Sequence, residues 1–125
     1  MIVCIQKEGV YKFGNRTLEI RKFDENIDNC NEFPSSDENK ALADISGVRF
    51  PLVLRTRRDG DIISPFGMNG TMKFKKYLNS KGIARHLRDD LLLLCKDNEV
   101  FWAIGAGISS KIGVKNKPTH VLEIK

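Results

Sequence analysis

Basic side chains concentrate in one stretch of the chain, with types and spacing that suit phosphate binding. The planar fork of arginine binds two phosphate oxygens at once, and lysine adds a mobile point charge. We therefore predict a nucleic-acid-binding site from these residues: Arg55, Arg57, Arg58, Lys73, Lys75, Lys76, Lys81, Arg85 and Arg88. Arg55 and Arg57 are two residues apart at the end of a predicted strand, so we expect them on one face.

The segment 62–70, which contains Pro65 and Gly70, predicts an ordered loop inside this basic stretch. Phe66 and Met68 in that loop could pack on a sugar or a terminal base of a nucleic acid. The alternative is that both residues anchor the loop in the core. We expect Asp61 to cap a turn or to pair with an arginine rather than to do acid–base chemistry.

Other candidate sites are weakly supported. Gly105-Ala106-Gly107 follows a predicted strand but lacks the third glycine and the helix of a dinucleotide-binding loop. Asp89 and Asp90 diverge as neighbours in a helical turn, and no third metal ligand is nearby. The two histidines stand outside any Cys/His cluster or Ser/His/Asp arrangement. We predict no catalytic residue, metal site or cofactor in this chain.

The charge of the chain is unevenly distributed. The 125 residues carry a formal net charge of +5. Residues 49–88 alone contain 10 Lys and Arg against only Asp59 and Asp61, a net charge of +8. Such a segment can attract a polyanion and release its counterions. An ordinary solvated face with lysines is the open alternative from charge alone.

The length fits one domain, or one domain with a small N-terminal extension. No signal peptide and no run of roughly 20 apolar residues is visible, which predicts a soluble cytoplasmic protein. Cys4, Cys30 and Cys95 are an odd number without a CxxC pair, so no disulfide framework is expected. We expect Cys4 and Cys95 to be buried and Cys30 to be exposed.

Strands are predicted over 2–13 and 17–23, joined by a tight turn at Gly14-Asn15. The polar stretch 24–40 predicts a loop or linker, with a domain boundary between an N-terminal region, 1–40, and a basic core, 41–125. A single domain over 1–125 is the alternative. Further strands are predicted over 41–45 and 51–57, followed by a turn in which Gly60 supplies a positive φ.

We predict a helix capped by Thr71 that runs to about Lys81 and ends before Gly82, with free N-terminal N–H groups for a phosphate. A second helical turn is expected over 85–90 and a hairpin across Asp97-Asn98. A final strand is predicted over 120–124. About eight strands, one or two helices and no βαβ alternation indicate an α+β fold with mostly antiparallel or mixed sheets.

The span 54–89 resembles the C-terminal domain of bacterial tRNA(Ile)-lysidine synthase. The residues that carry the resemblance are Arg55-Thr56-Arg57-Arg58-Asp59-Gly60-Asp61, Pro65-Phe66-Gly67-Met68-Asn69-Gly70-Thr71, Lys73-Phe74-Lys75-Lys76, Lys81-Gly82-Ile83 and Arg88-Asp89. Val100-Phe101-Trp102-Ala103-Ile104-Gly105 continues the match in the same order. The chain departs from the family pattern at Ile62, Ala84 and Leu92, where arginine, proline and proline are usual.

The resemblance implies a three-layer fold around an unusual β-sandwich. It also implies a part of an ATP-dependent ligase that joins lysine to the wobble cytidine of isoleucine tRNA. ATP and magnesium would belong to an N-terminal catalytic domain, whose phosphate-loop motif this chain lacks. The expected partners are therefore that catalytic domain and the acceptor-stem side of isoleucine tRNA. A structural, docking or dimerisation module without RNA contact is the alternative.

Overall fold

The computed structural model of the protein describes residues 1–28 and 39–125. The first strands of these residues are β1 (Val3–Ile5), β2 (Gly9–Phe13), β3 (Arg16–Lys22), β4 (Lys40–Ala43), β5 (Leu52–Arg55), β6 (Ile62–Ile63) and β7 (Met72–Lys73). They are followed by α1 (Phe74–Ser80), α2 (Arg85–Arg88), β8 (Leu93–Lys96), β9 (Glu99–Ala103), β10 (Gly107–Ile108) and β11 (His120–Ile124).

The strands form two sheets. The larger has seven strands in the order β1-β5-β8-β9-β6-β7, with β10 added beside β9. The smaller has the order β2-β3-β11-β4, and all of its pairs are antiparallel. The single parallel pair among the described strands is β6 with β9, so the larger sheet is mixed. The predicted α+β class with antiparallel or mixed sheets is confirmed.

The larger sheet is the middle of three layers. One face packs on the smaller sheet, where Leu54, Leu94 and Trp102 meet Leu18 and Ile20 in one buried cluster. The other face packs on α1 and forms a second buried cluster. The sheet contributes Leu93, Cys95 and Ala103 to it, and the helix contributes Phe74, Tyr77 and Leu78. Alternation along β8 explains the two faces, since successive side chains of a strand point in opposite directions.

The N-terminal strand prediction is wrong in one respect. The single strand expected over 2–13 is divided between the two sheets, with β1 on β5 and β2 on β3. Cys4 lies on the edge strand β1 and is exposed, because the face it occupies is not covered; its predicted burial is wrong. Cys95 is buried as predicted, and burial raises the pKa of its thiol to about 12. Cys30 lies outside the described residues.

The boundary predicted between residues 40 and 41 stays a prediction. The smaller sheet draws β2 and β3 from one side of that position and β11 from the other, with Leu18 opposite Ile124. Backbone hydrogen bonds also connect Thr17 and Lys125 in both directions, at 2.8 and 2.9 Å. These contacts cross the predicted boundary, and the alternative of one domain over 1–125 stays a prediction as well.

Helix α1 begins later than its sequence predicts. Its N-cap is Lys73 without a side-chain cap, and the Thr71 hydroxyl lies 2.9 Å from Ser64 Oγ instead. The N-cap role of Thr71 is therefore wrong. The predicted end is confirmed, because Gly82 has φ +68° and the N–H groups of Gly82 and Ile83 donate to Asn79 and Leu78. These two bonds satisfy carbonyls that the helix end would leave unpaired.

Residues 24–28, the first residues of the predicted linker, form an ordered turn. Arg21 of β3 donates from both terminal nitrogens to Asp28, at 2.7 and 2.8 Å. The Asp28 side chain is 1% exposed and also accepts the backbone N–H of Asp24. The hydrogen bond from Arg21 lowers the pKa of Asp28 from 3.8 to about 2, although desolvation opposes the shift.

A buried ion pair connects the end of β5 to the turn that follows it. Arg55 Nη2 donates to Asp61 Oδ1 at 2.7 Å, and Arg55 Nη1 donates to Asp61 Oδ2 at 3.0 Å. The same two nitrogens donate to the backbone carbonyls of Thr56 and Asp97. The Asp61 hydrogen bond raises the pKa of Arg55, so the guanidinium stays charged although its side chain is only 3% exposed. The predicted pairing of Asp61 with an arginine is confirmed.

Gly107 is a glycine for a steric reason. A Cβ at this position would overlap the hydroxyl oxygen of Tyr77, which reaches over β10 from α1. The preceding Gly105 has φ +88°, a conformation that L side chains rarely adopt. The Gly105-Ala106-Gly107 pattern is therefore explained by a bend and by a close approach of helix to sheet.

The buried pair predicts a large loss of stability when Asp61 is replaced. Asp61→Asn leaves the charge of Arg55 buried and uncompensated, which should lower the free energy of unfolding by about 3–5 kcal/mol. Asp59→Asn in the same turn is the control, because Asp59 is exposed and should change stability by under about 0.5 kcal/mol. Urea unfolding measures both, and equal midpoints for the two variants would contradict a stabilising role of the pair.

The close approach at Gly107 predicts coupling with Tyr77. Gly107→Ala should destabilise the protein by about 1–3 kcal/mol, because the methyl group overpacks the helix contact. Tyr77→Phe removes the oxygen and should rescue much of that loss in the double variant. Gly47→Ala is the control, since nothing lies within 4 Å of a Cβ there. Additive effects of the two substitutions in thermal unfolding would refute the contact.

The lowered pKa of Asp28 predicts an acid-sensitive contribution to stability. Because the folded pKa is about 2 against 3.8, the contribution is present above about pH 4 and is lost as pH falls toward 2. Its size is about 2 kcal/mol. Asp28→Asn should remove this part of the pH dependence, whereas Glu25→Gln, at an exposed position of the same turn, should leave it unchanged. Denaturant unfolding at a series of pH values separates the two outcomes.

Candidate nucleic-acid interface

Helix α1 presents lysines on the side opposite its buried face. Phe74, Tyr77 and Leu78 are at most 3% exposed, as the helical spacing predicts, whereas Lys75 and Lys76 are exposed. Lys73, at the N-cap, is exposed as well. Within residues 1–28 and 39–125 no carboxylate pairs with any of these three lysines, and the first turn of α1 contains no acidic residue. Their ammonium groups are available to an external anion.

Lys81 is held close to the helix that precedes it. Its ammonium nitrogen lies 5.5 Å from the centroid of the Tyr77 ring, a distance at which a cation is attracted by the face of an aromatic ring. Burial raises the pKa of Tyr77, so its hydroxyl stays neutral and adds no negative charge. The exposed Lys81 thus extends the lysines of α1 beyond the helix end.

Two of the predicted site arginines are buried. Arg55 is 2% exposed and donates four hydrogen bonds within the protein, as described above. Arg88 is 8% exposed; its Nε donates to the carbonyl of Ile83 and its Nη1 donates to Asn79 Oδ1, both at 2.8 Å. Each guanidinium connects segments of the chain through internal hydrogen bonds, and its predicted contact with RNA stays a prediction.

The other three arginines of the predicted site are partly or fully exposed. Arg58 and Arg85 are exposed, and neither has a side-chain partner in the described parts of the chain. Arg57 is half-buried, with its Nε 2.7 Å from Asp89 Oδ1. The predicted common face of Arg55 and Arg57 therefore contains one buried and one partly exposed side chain.

Hydrogen bonds hold the segments that carry the exposed basic residues next to one another. The N–H of Phe74, at the start of α1, donates to the carbonyl of Asp61 in the turn after β5. Arg88 ties α2 to α1, and Arg57 ties the end of α2 to the segment after β5. We call the set that results the basic surface: Arg57, Arg58, Lys73, Lys75, Lys76, Lys81 and Arg85. The bond from Phe74 also occupies the first amide of α1, and the phosphate contact expected at the helix start stays a prediction.

The loop 64–71 is an ordered feature beside the basic surface. Ser64 and Thr71 join their hydroxyls at its base, and Pro65 pairs with Ser109. The Phe66 ring packs so closely on Gly113 that a Cβ there would overlap it, which matches the loop-anchoring role. Met68 is 61% exposed at the tip. Of the two predicted contact residues, Met68 is therefore exposed and Phe66 is half-buried, and their contact with RNA stays a prediction.

Sequence reasoning did not identify Asp89 as the partner of Arg57. The two residues are 32 positions apart, and no local pattern connects them. The burial of Arg55 has a sequence signal, because Arg55 continues the apolar run of β5, whose neighbours β1 and β8 pair with both of its edges. No comparable pattern marks Arg88, whose neighbour Leu87 is 49% exposed.

The described residues can also be compared with what a metal site, a ligand pocket or a membrane-spanning helix requires. No group of three or more His, Cys, Asp or Glu in residues 1–28 and 39–125 could hold a metal ion. A shallow pocket lies at the end of β3, lined by Lys22, Phe23, Asp24, Glu25, Asn26 and Lys117, and none of the predicted site residues contributes to it. Both described helices are short, and neither has the length and apolar character that crossing a membrane requires.

Comparison with known proteins identifies relatives of the chain. The family model described as the TilS substrate C-terminal domain matches residues 52–124, from the first residue of β5 to the last of β11. A tRNA(Ile)-lysidine synthase of Clostridium tetani is 30% identical over 96% of this chain and 26% of its own length. One of Caldanaerobacter subterraneus is 30% identical over 94% of this chain and 24% of its own length.

A solved structure has the same fold. The crystal structure of a TilS C-terminal domain superposes on 100% of this chain and 97% of its own chain, with a TM-score of 0.69 and 19% identity. The chain spans about a quarter of the length of the two synthases above. Since the family model covers more than half of the chain and the fold agrees over its whole length, this chain belongs to the TilS substrate C-terminal domain family.

Proposed function

We propose that this chain is a non-catalytic tRNA-binding domain of a tRNA(Ile)-lysidine synthase. The observation that carries the proposal is the basic surface, in which Lys73, Lys75 and Lys76 are exposed and have no carboxylate partner among the residues that the structure describes. Membership in the TilS substrate C-terminal domain family supports tRNA as the polyanion.

The arrangement suits recognition of an RNA helix by shape. A-form RNA is recognised mainly through its phosphates and 2′-hydroxyls, because its deep major groove excludes side chains. Such recognition needs charges on a rigid frame. The frame is supplied by α1, whose buried face packs on the larger sheet, and by the anchored segments on either side of it. Met68, at the tip of the loop 64–71, is proposed to contact a sugar or a terminal base.

The rest of the enzyme is part of the same proposal. The ligation of lysine to cytidine would occur in a separate N-terminal catalytic domain, which would use ATP and magnesium in the cytoplasm. That domain and isoleucine tRNA, bound toward its acceptor stem, are the proposed partners of this chain. Tethering would raise the effective concentration of the basic surface near the tRNA, so modest affinity of the domain by itself is sufficient.

The lysines of α1 provide the test. Lys75→Ala/Lys76→Ala should weaken the binding of isoleucine tRNA by about tenfold and reduce the salt slope of log K by up to about 1.5, since two phosphate contacts are lost. Arg55 is left unchanged, because its replacement would disrupt the fold. Fluorescence anisotropy with labelled tRNA between about 50 and 200 mM salt measures both quantities.

Lys12→Ala/Lys22→Ala is the matched control, with the same change in charge on exposed residues of the smaller sheet. It should retain most of the affinity and the salt slope. Equal effects of the two double variants would show non-specific attraction by net charge. Unchanged tRNA binding by both, with altered sedimentation of the α1 variant, would favour a docking or dimerisation module instead.

A further inference from the structure

Arg57 is held differently from the other arginines of the described chain. Its Nε donates to Asp89 Oδ1 at 2.7 Å, while its two terminal nitrogens have no partner among residues 1–28 and 39–125. The Arg57 side chain is 29% exposed and that of Asp89 is 81% exposed. One edge of the guanidinium is therefore occupied, and the edge formed by Nη1 and Nη2 remains available.

Both members of this pair are attached to anchored backbone. Arg57 lies two residues after Arg55, which donates four hydrogen bonds within the protein. Asp89 directly follows Arg88, whose guanidinium joins α2 to Ile83 and Asn79. The backbone on either side of the pair is thus held by two separate sets of contacts, and the Asp89 carboxylate itself contacts Arg57.

A bond through Nε limits the rotation of the guanidinium plane. Free arginine loses much rotamer freedom when it binds a phosphate, whereas a side chain fixed in advance loses less. The Nη1 and Nη2 edge has the geometry that two oxygens of one phosphate require. Asp89 also has an opposing effect, because its negative charge repels a phosphate, although high exposure screens that repulsion.

Resting on the proposed function, we propose that Asp89 is a positioning residue. It holds the Arg57 guanidinium so that Nη1 and Nη2 bind one phosphate of the RNA backbone, and it does not contact the RNA itself. Arg57 is then the most orientation-dependent contact of the basic surface, while the lysines of α1 supply attraction that depends little on direction.

The neighbouring Asp90 permits a matched test. It is exposed and has no side-chain partner in the described part of the chain, so Asp90→Ala removes the same charge without releasing Arg57. Asp89→Ala also removes the acceptor of the Arg57 Nε hydrogen bond. If Asp89 orients Arg57, Asp89→Ala should bind isoleucine tRNA about two- to fivefold more weakly than Asp90→Ala, the range expected from an exposed ion pair. In an Arg57→Ala background the two variants should bind alike.

Two results would overturn the positioning role. Equal affinities of Asp89→Ala and Asp90→Ala in the native background would show that the carboxylate acts only through its charge. Tighter binding by Asp89→Ala would show that Asp89 competes with phosphate for Arg57. The Nε–H resonance of Arg57 provides an RNA-free measurement: it should lose protection from solvent exchange in Asp89→Ala and keep it in Asp90→Ala.

The lysine variants distinguish failure of this inference from failure of the proposed function. If Lys75→Ala/Lys76→Ala weakens binding and the two aspartate variants do not differ, the basic surface binds tRNA but Asp89 does not position Arg57. If the native chain does not bind tRNA at any salt concentration tested, both proposals are wrong.

Discussion

The ion pair between Arg55 and Asp61 is the contact on which the arrangement around α1 depends. Removing two charges from water is costly, and the cost is recovered only if the remaining hydrogen-bonding capacity is satisfied. The protein meets this condition with bonds from Arg55 to two carbonyls and a bond from the Arg58 amide to Asp61. These bonds bring together the end of β5, the turn after it and the β8–β9 hairpin. The backbone carbonyl of Asp61 in turn accepts a hydrogen bond from the N–H of Phe74, the first residue of α1.

The arginines of this region divide into two groups according to burial. Arg55 and Arg88 donate to carbonyls, an amide oxygen and a buried carboxylate, and so fix the positions of β5, α1 and α2. Arg57, Arg58 and Arg85 are attached to those fixed segments and remain partly or fully exposed. A high density of arginine therefore need not mean a high density of ligand contacts, since one group builds the frame that presents the other.

Local patterns predicted much of the fold correctly. The apolar spacing of Phe74, Tyr77 and Leu78, the glycine at 82 and the strand over 120–124 follow from interactions within a few residues. Features set by distant contacts were not predictable. Whether 2–13 forms one strand or two depends on β5, and Thr71 fails to cap α1 because Ser64 binds its hydroxyl. The same limit applies to the basic surface: its residue types were evident from the sequence, whereas the partner of Arg57, 32 positions away, was not.

The position of β11 has a consequence for how the chain acquires its structure. β11 lies between β3 and β4, and these two strands do not pair with each other. The smaller sheet therefore cannot close until residues 120–124 have been synthesised, roughly a hundred positions after β3. Until then Leu18, Ile20 and Ala41 lack the strand that completes their layer. Pairing over such sequence separation is slow and leaves apolar strands exposed, so the nascent chain passes through a period in which it is prone to aggregation.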